Sequence, residues 1–372
     1  MVDKVPARDN VKKLTATNRV AVLAVYTGAR TADMERFDRF HARTELIFAD
    51  RYPDCEIPPR VRYKIAGLLG TFVCVLKRDY EILEINEPLF LRAYPRILVA
   101  LAAANIRGLF AKKPEIVSYA IENADVYRLL HRRSVIAGPF YCAVARAVGR
   151  YILSNTERMA FGTQDALDNY MRAFGNAMSG SKVRVFEFLQ PPYTGPRPSG
   201  DRSGVVFVGA LEGRKGLRRL MRIWPTVSLN TGTCLSIVGS GEMEQDVARW
   251  SADRTDVSIM GQRSKQEIDA LLSRAKVVVM LSQSEGFWKE QVGLPILEGL
   301  AHGCEIVTTS DTGLAAWLSQ RGHAVLHADQ PDADFVAALT YAVTREDRHE
   351  TIRSTLPLKD GRLEAARWMW FG

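Results

Sequence analysis

Metal-binding signatures are missing from this chain of 372 residues. Its five cysteines, Cys55, Cys74, Cys142, Cys234 and Cys304, are scattered, odd in number and without ligand spacing, so they read as buried thiols of a reducing compartment. The six histidines (His41, His131, His302, His323, His327 and His349) form neither zinc nor triad spacing, and His302 is expected to pack rather than to catalyse. No Asp-x-Asp stands at a strand end, which argues against a metal-bound diphosphate. Long apolar runs are lacking too. Ile65–Leu76 holds twelve apolar or small residues, too few to cross a bilayer, and reads as a buried or interfacial helix. The polar, charged N-terminus has no apolar signal core, which predicts a cytoplasmic location. Gly239-Ser-Gly241 lacks the third glycine and the later acid of a dinucleotide fingerprint, so no nicotinamide cofactor is expected, and nucleic-acid modules are absent.

What is present is the composition of an ordinary globular protein, 47% hydrophobic and 25% charged, in a chain long enough to need two domains. The stretch Gln190–Ser203 is rich in proline and glycine with no apolar period, a linker composition. It sets the expected boundaries: a first domain over 1–190, a linker over 191–203, a second domain over 204–355, and a C-terminal helix over 356–372 that packs back on the first. Charge divides at the same place. Residues 1–193 carry 29 Lys and Arg against 20 Asp and Glu, whereas residues 194–372 carry 21 against 22. An excess confined to the first half is either surface solvation or attraction for an anionic partner, such as a phospholipid surface, a lipid-diphosphate or a phosphate-bearing polymer.

The most informative stretch is Glu290-Gln-Val-Gly-Leu-Pro-Ile-Leu-Glu298. Two carboxylates stand eight positions apart around a Gly293-Leu294-Pro295 turn that predicts a helix start, with Pro295 at its first position and Glu298 on its first turn. A helix N-terminus there would offer unpaired N–H groups to a diphosphate, while the carboxylates accept from sugar and ribose hydroxyls. Lys276–Ser282 upstream and Glu305–Ser310 downstream read as strands, which puts these acids at the carboxyl end of a parallel strand, where open α/β sheets bind ligands.

From about residue 204 to residue 320 the sequence resembles the retaining glycosyltransferases of family 4, which have the GT-B fold: α/β, with two Rossmann-like domains whose parallel sheets face a central cleft. In Val205-Val-Phe-Val-Gly209-Ala-Leu-Glu-Gly-Arg214-Lys215-Gly216 a strand ends in glycine and leads into a basic loop, and Arg214 and Lys215 match the family's diphosphate-binding pair. Gly239 matches the glycine turn beside the donor nucleotide, and Gly261 to Arg263 the loop bordering the base. The resemblance implies that Glu290 holds donor-sugar hydroxyls and Glu298 the ribose, with Gly293 and Leu294 at the helix start. One departure stands out. The family writes Glu-Gly-Phe-Gly-Leu-Pro-x-x-Glu without interruption, whereas here Ser284-Glu-Gly-Phe-Trp-Lys-Glu290 intervenes. Spacing from the helix start selects Glu290; matching the Glu-Gly-Phe string selects Glu285 and needs a five-residue insertion, and Glu285 could then serve the acceptor side.

In the first half, Arg19–Tyr26, Thr44–Ala49, Tyr80–Asn86 and Glu115–Asn123 read as strands. The glycine-rich turn that relatives carry after the first strand is reduced to Gly28. Many relatives have a histidine near the end of the fourth run that contacts the donor sugar; this chain has none, leaving Glu122 or Asn123 for that role. Two helical stretches, 65–76 and 96–110, are flanked by Arg60, Arg62, Lys77, Arg78, Lys112 and Lys113, which would let them approach anionic lipid. The expected function is metal-independent transfer of a sugar, without a cofactor, from a nucleotide-diphosphate donor to a glycan, lipid-linked or other anionic acceptor, with peripheral contact to the inner face of a membrane. A sugar-nucleotide epimerase of the same fold and an inactive GT-B binding subunit are the alternatives.

Overall fold

The computed structural model describes residues 21–52, 55–133, 138–196, 202–286 and 288–372. Arg19 and Val20 of the first apolar run, residues 197–201 of the linker and Phe287 lie outside them. Two parallel sheets are present. The first is built from β1 (Val22–Ala29), β2 (Thr44–Arg51), β3 (Tyr63–Ile65), β4 (Ile82–Ile85), β5 (Glu115–Ala120), β6 (Arg158–Phe161) and β7 (Lys182–Val185), in the order 3-2-1-4-5-6-7. The second holds β8 (Val205–Val208), β9 (Leu235–Val238), β10 (Val257–Gly261), β11 (Val277–Met280), β12 (Glu305–Thr309) and β13 (Ala324–Leu326), in the order 10-9-8-11-12-13. Renumbered from its first strand, the second order is again 3-2-1-4-5-6, the doubly wound arrangement.

The apolar runs become strands because both faces of a parallel sheet are covered by helices. Val22–Val25, Ile82 to Ile85, Val205–Val208 and Val277–Met280 are buried along their whole lengths, so none shows polar alternation. The chain divides into two compact units, one running to Asn86 and resuming over Arg92–Val117, the other holding Glu87–Leu91 and Ser118–Gly372. Within the first unit the one buried charge in β4, Glu84, is paired with Arg36 at 2.7 Å and accepts from the Tyr26 hydroxyl at 2.7 Å. Within the second, the helix Leu217–Thr231 lays Leu220, Ile223, Trp224 and Val227 on the sheet, and the Trp224 indole donates to Asp256 at 2.8 Å. The helix Gly361–Phe371 packs on β6, where Arg158 donates to the Trp368 carbonyl at 3.0 Å, and the Gly361 N–H reaches the Leu189 carbonyl at 3.0 Å.

Several expectations shift. β1 runs through Gly28 to Ala29, so Gly28 is a strand residue facing Asp50 rather than a turn. The run at 65–76 is a strand Tyr63–Ile65 followed by a helix Leu68–Lys77, and four cysteines are buried but Cys234 is exposed. Among the described residues no helix is long and apolar enough to cross a membrane.

Candidate functional site

In the second sheet the chain winds outward from β8 to β10 and then returns to the other side of β8 with β11, so β8 and β11 are neighbours at the point where strand order reverses. Loops leaving the carboxyl ends of two such strands splay apart and leave a crevice. The β8 loop contains Glu212, Arg214 and Lys215; the β11 loop runs from Leu281 to Val292.

Glycine makes their close approach feasible. At Gly216, with φ 78°, a Cβ would lie 2.0 Å from the Leu281 carbonyl oxygen, so no other residue fits where the β8 loop crosses the end of β11. The Gln283 N–H donates to the Arg214 carbonyl at 2.8 Å and ties the loops together. The Lys215 ammonium then reaches Glu290 Oε2 at 2.5 Å, and the Ser282 hydroxyl donates to the same oxygen at 3.2 Å. Glu290 is only 9% exposed. Its main chain is held as well, its carbonyl accepting from Asn123 Nδ2 at 3.0 Å and from the Gly313 N–H at 3.1 Å. Arg214 pairs with Glu212 and stands 4.3 Å over the Trp288 ring, with Lys215 4.9 Å from the same ring. Trp288 thus stacks on both cations of the basic pair.

Glu285 is placed differently. It opens a tight turn in which its N–H and carbonyl exchange hydrogen bonds of 3.0 and 2.8 Å with Trp288, across Gly286 at φ 56°, and it is exposed.

The helix after Gly293 is Leu294–His302, one residue earlier than expected: Leu294 opens it, Pro295 follows, and Glu298 falls at the start of the second turn. Glu298 is bonded by Lys265 at 2.8 Å. Burial alone would lower the Lys265 pKa, but Glu298 and Asp269 outweigh it and hold the ammonium above its usual range. His302 Nε2 donates to the Asp269 carboxylate at 3.0 Å, and the ring stacks on Tyr193 and is buried, which lowers its pKa; it packs, as expected. The two carboxylates of the motif are therefore each held by a different lysine.

Gly209, Gly239 and Gly261 form a row at the ends of β8, β9 and β10. The Gly209 N–H donates to the Val238 carbonyl and the Gly239 N–H to the Gly261 carbonyl, and a Cβ on Gly239 would lie 1.9 Å from the Gly209 oxygen. Beyond them Gln262 bonds Ser240 at 2.8 Å, and the exposed Arg263 pairs with Glu267 at 3.3 Å.

After β5, Glu122 accepts from the Ala124 N–H at 2.9 Å and from Gln291 Nε2 at 3.1 Å, so Glu122 and Asn123 both hold the segment containing Glu290. Gly28 belongs to the other unit. The participation of Ser282 and Gln291 escaped the sequence reading, for neither stands in a spacing that marks it, whereas Glu87 stands in an Asn86-Glu87-Pro88 ending similar to the polar-Glu-Pro ending of the family's third strand. Glu87 accepts from the Ile121 and Glu122 N–H groups at 3.1 and 3.0 Å and from the Tyr170 hydroxyl at 3.0 Å. Burial first, and the Glu122 charge second, push its carboxyl up to about 8 despite those bonds. A folded pKa above the unfolded value means stability is full below about 4.5 and is lost as pH rises through about 8. Glu87→Gln keeps an acceptor oxygen but no charge. Its melting temperature is expected to fall less than that of the unchanged protein between pH 6 and 9, and parallel curves would refute the burial of a titrating carboxyl there.

Residues 202–345 match the family described as glycosyl transferases group 1. The chain is 32% identical over 117 residues to an uncharacterized glycosyltransferase of Methanocaldococcus jannaschii, covering 31% of this chain and 29% of that protein. It is 26% identical over 171 residues to O-antigen chain mannosyltransferase B of Escherichia coli, covering 44% and 42%. The matched part thus spans less than half the length of these curated relatives. The structure resembles that of the lipopolysaccharide outer core galactosyltransferase WaaB in its apo form, with a TM-score of 0.64 at 14% identity over 93% of this chain and 97% of that one. It also resembles Anabaena HepE in complex with UDP and glucose, with a TM-score of 0.61 at 11% identity over 93% and 95%. Two doubly wound parallel sheets and these likenesses define the fold as GT-B.

Proposed function

We propose that the chain is a retaining glycosyltransferase that moves a sugar from a nucleotide-diphosphate donor to an acceptor hydroxyl without a metal. The observation that carries this reading is the Lys215–Glu290 pair, set with Arg214 at the reversal between β8 and β11. In the reaction the bond from the sugar's anomeric carbon to the diphosphate oxygen breaks and the acceptor oxygen bonds that carbon from the same face. The acceptor proton passes to the departing diphosphate. Negative charge therefore grows on the diphosphate, where Arg214, the two remaining N–H donors of Lys215 and the N–H groups of the helix at Leu294 would stabilise it. Glu290 would hold donor-sugar hydroxyls, Glu298 the ribose, and the glycine row with Arg263 the base. The UDP named in the HepE complexes supports a nucleoside diphosphate in these loops.

Residues 204–355 would form the donor domain and residues 1–190 the acceptor domain. The mannosyltransferase and galactosyltransferase likenesses favour a glycan or lipid-linked acceptor of a surface polysaccharide or glycoconjugate. The excess charge of residues 1–193 favours an anionic one, met at the inner face of a membrane.

A screen of nucleotide sugars by thermal stabilisation tests the reading. The right donor at a hundred times its dissociation constant should add about 2.7 kcal/mol to the apparent stability. Absence of any response across uridine, guanosine and adenosine diphosphate sugars would count against a donor site. Conversion of the donor sugar with no acceptor present would favour an epimerase instead.

A further inference from the structure

The helix Gly138–Ser154 is apolar on two opposite faces. Cys142, Gly149, Ile152 and Leu153 are buried, Gly149 so closely that a Cβ would lie 2.8 Å from the Phe174 ring. The opposite line, at steps of four, three and four, is Phe140, Val144, Ala147 and Tyr151, with Tyr141 beside it. Phe140 is 69% exposed, Tyr141 59%, and Val144 and Tyr151 46% each. A helix resting on a protein core ordinarily turns polar residues outward, so this outer line needs another explanation. Charge supplies it. From Val126 to Thr156 the sequence has five arginines (128, 132, 133, 146 and 150) and no Asp or Glu; Arg150 is exposed on the flank of the line, while Arg146 stands nearer the buried side, 5.0 Å over the Tyr127 ring.

An apolar line with aromatic side chains, an arginine flank and no acid matches the interface of an anionic bilayer. A second copy would bring like charge against like. At about 25 Å for its 17 residues the helix is shorter than the roughly 30 Å hydrocarbon core, so it would lie in the plane of the surface rather than cross it.

We propose that helix Gly138–Ser154 docks flat on an anionic phospholipid bilayer, placing Phe140, Tyr141, Val144 and Tyr151 among the headgroups and Arg150 on lipid phosphates. The proposal rests on the membrane partner inferred above, not on sugar transfer, and it assigns contact to residues other than the basic stretch 60–78.

Sedimentation with phosphatidylcholine vesicles, with and without a third of phosphatidylglycerol, tests it at two salt concentrations. The unchanged protein should bind only the anionic vesicles, and less at high salt. Replacing Phe140, Tyr141, Val144 and Tyr151 by serine should weaken binding at least about tenfold, since each buried large side chain contributes well over 1 kcal/mol. Arg150→Glu should weaken it severalfold and reduce its salt dependence. Both variants should keep the melting temperature and any donor stabilisation of the unchanged chain. Amide exchange in 138–154 should slow when anionic vesicles are added. Failure of the unchanged chain to bind, binding undiminished in the serine variant, or vesicle protection confined to 60–78 would overturn the assignment. So would a dimer that the serine changes dissolve. Loss of the donor response in the unchanged protein would count against sugar transfer and leave the vesicle result standing.

Discussion

Arg214→Ala combined with Lys215→Ala is expected to weaken nucleotide-sugar binding at least about a hundredfold, because a charge-assisted contact to phosphate contributes on the order of 1.5 to 3 kcal/mol and two are removed. The geometry divides the effect. Arg214 is bonded to Glu212 and stacked on Trp288, so Arg214→Ala alone should cost the diphosphate one contact and leave the loop in place. Lys215 also neutralises Glu290, and its loss leaves the Ser282 hydroxyl as the one remaining donor to that carboxylate among the described residues. Some destabilisation should therefore accompany Lys215→Ala, and Glu290→Gln added to it should recover part of the melting temperature without recovering donor affinity. Calorimetric titration with the donor found by the thermal screen decides the matter. Affinity unchanged in the double variant would remove Arg214 and Lys215 from the diphosphate site.

Three strands of the second sheet, β8, β9 and β10, were legible because short, mostly apolar runs end in glycine. Val205–Val208, Leu235–Val238 and Val257–Gly261 stop at Gly209, Gly239 and Gly261, all at positive φ, and at Gly239 the backbone also passes too close to Gly209 for a side chain. Strands without such runs escaped: Arg158–Phe161 has four residues and little β-branching, Lys182–Val185 alternates charged with apolar, and Tyr63–Ile65 has three residues at a sheet edge. The first turn of the Leu294–His302 helix was displaced by one residue because proline fits either of its opening positions.

Pairings across the chain were not legible at all. Lys215 meets Glu290 over 75 residues and Glu122 meets Gln291 over 169, and a local pattern holds no record of either. For Glu122 and Asn123 this changes the expectation of a sugar contact into a prior question of position, since both side chains are engaged with the 290–291 segment. The outer face of Gly138–Ser154 escaped for the converse reason. Its apolar residues satisfy a helical period whichever face is buried, and exposure is known only once the fold is.

The choice between the two carboxylates is the sharper consequence. Glu290→Gln is expected to lower turnover by about two orders of magnitude or more, comparable with removal of one preorganised electrostatic partner in an active site, while Glu285→Gln should stay within about twofold. Glu290 is buried at the reversal of strand order, bonded to Lys215 and Ser282, and fixed through its own backbone by Asn123 and Gly313. Glu285 stands exposed on a turn whose hydrogen bonds to Trp288 are made by its main chain, which a glutamine retains. Since Glu290→Gln also deprives Lys215 of its counter-charge, turnover must be compared at saturating donor and below the variant's melting temperature. A loss in kcat that persists there belongs to the reaction, whereas a loss confined to KM belongs to binding alone. If Glu285→Gln were the inactive variant and Glu290→Gln near normal, the residues from Glu285 onward would be the family motif with an insertion, and Glu290 would be a structural partner of Lys215.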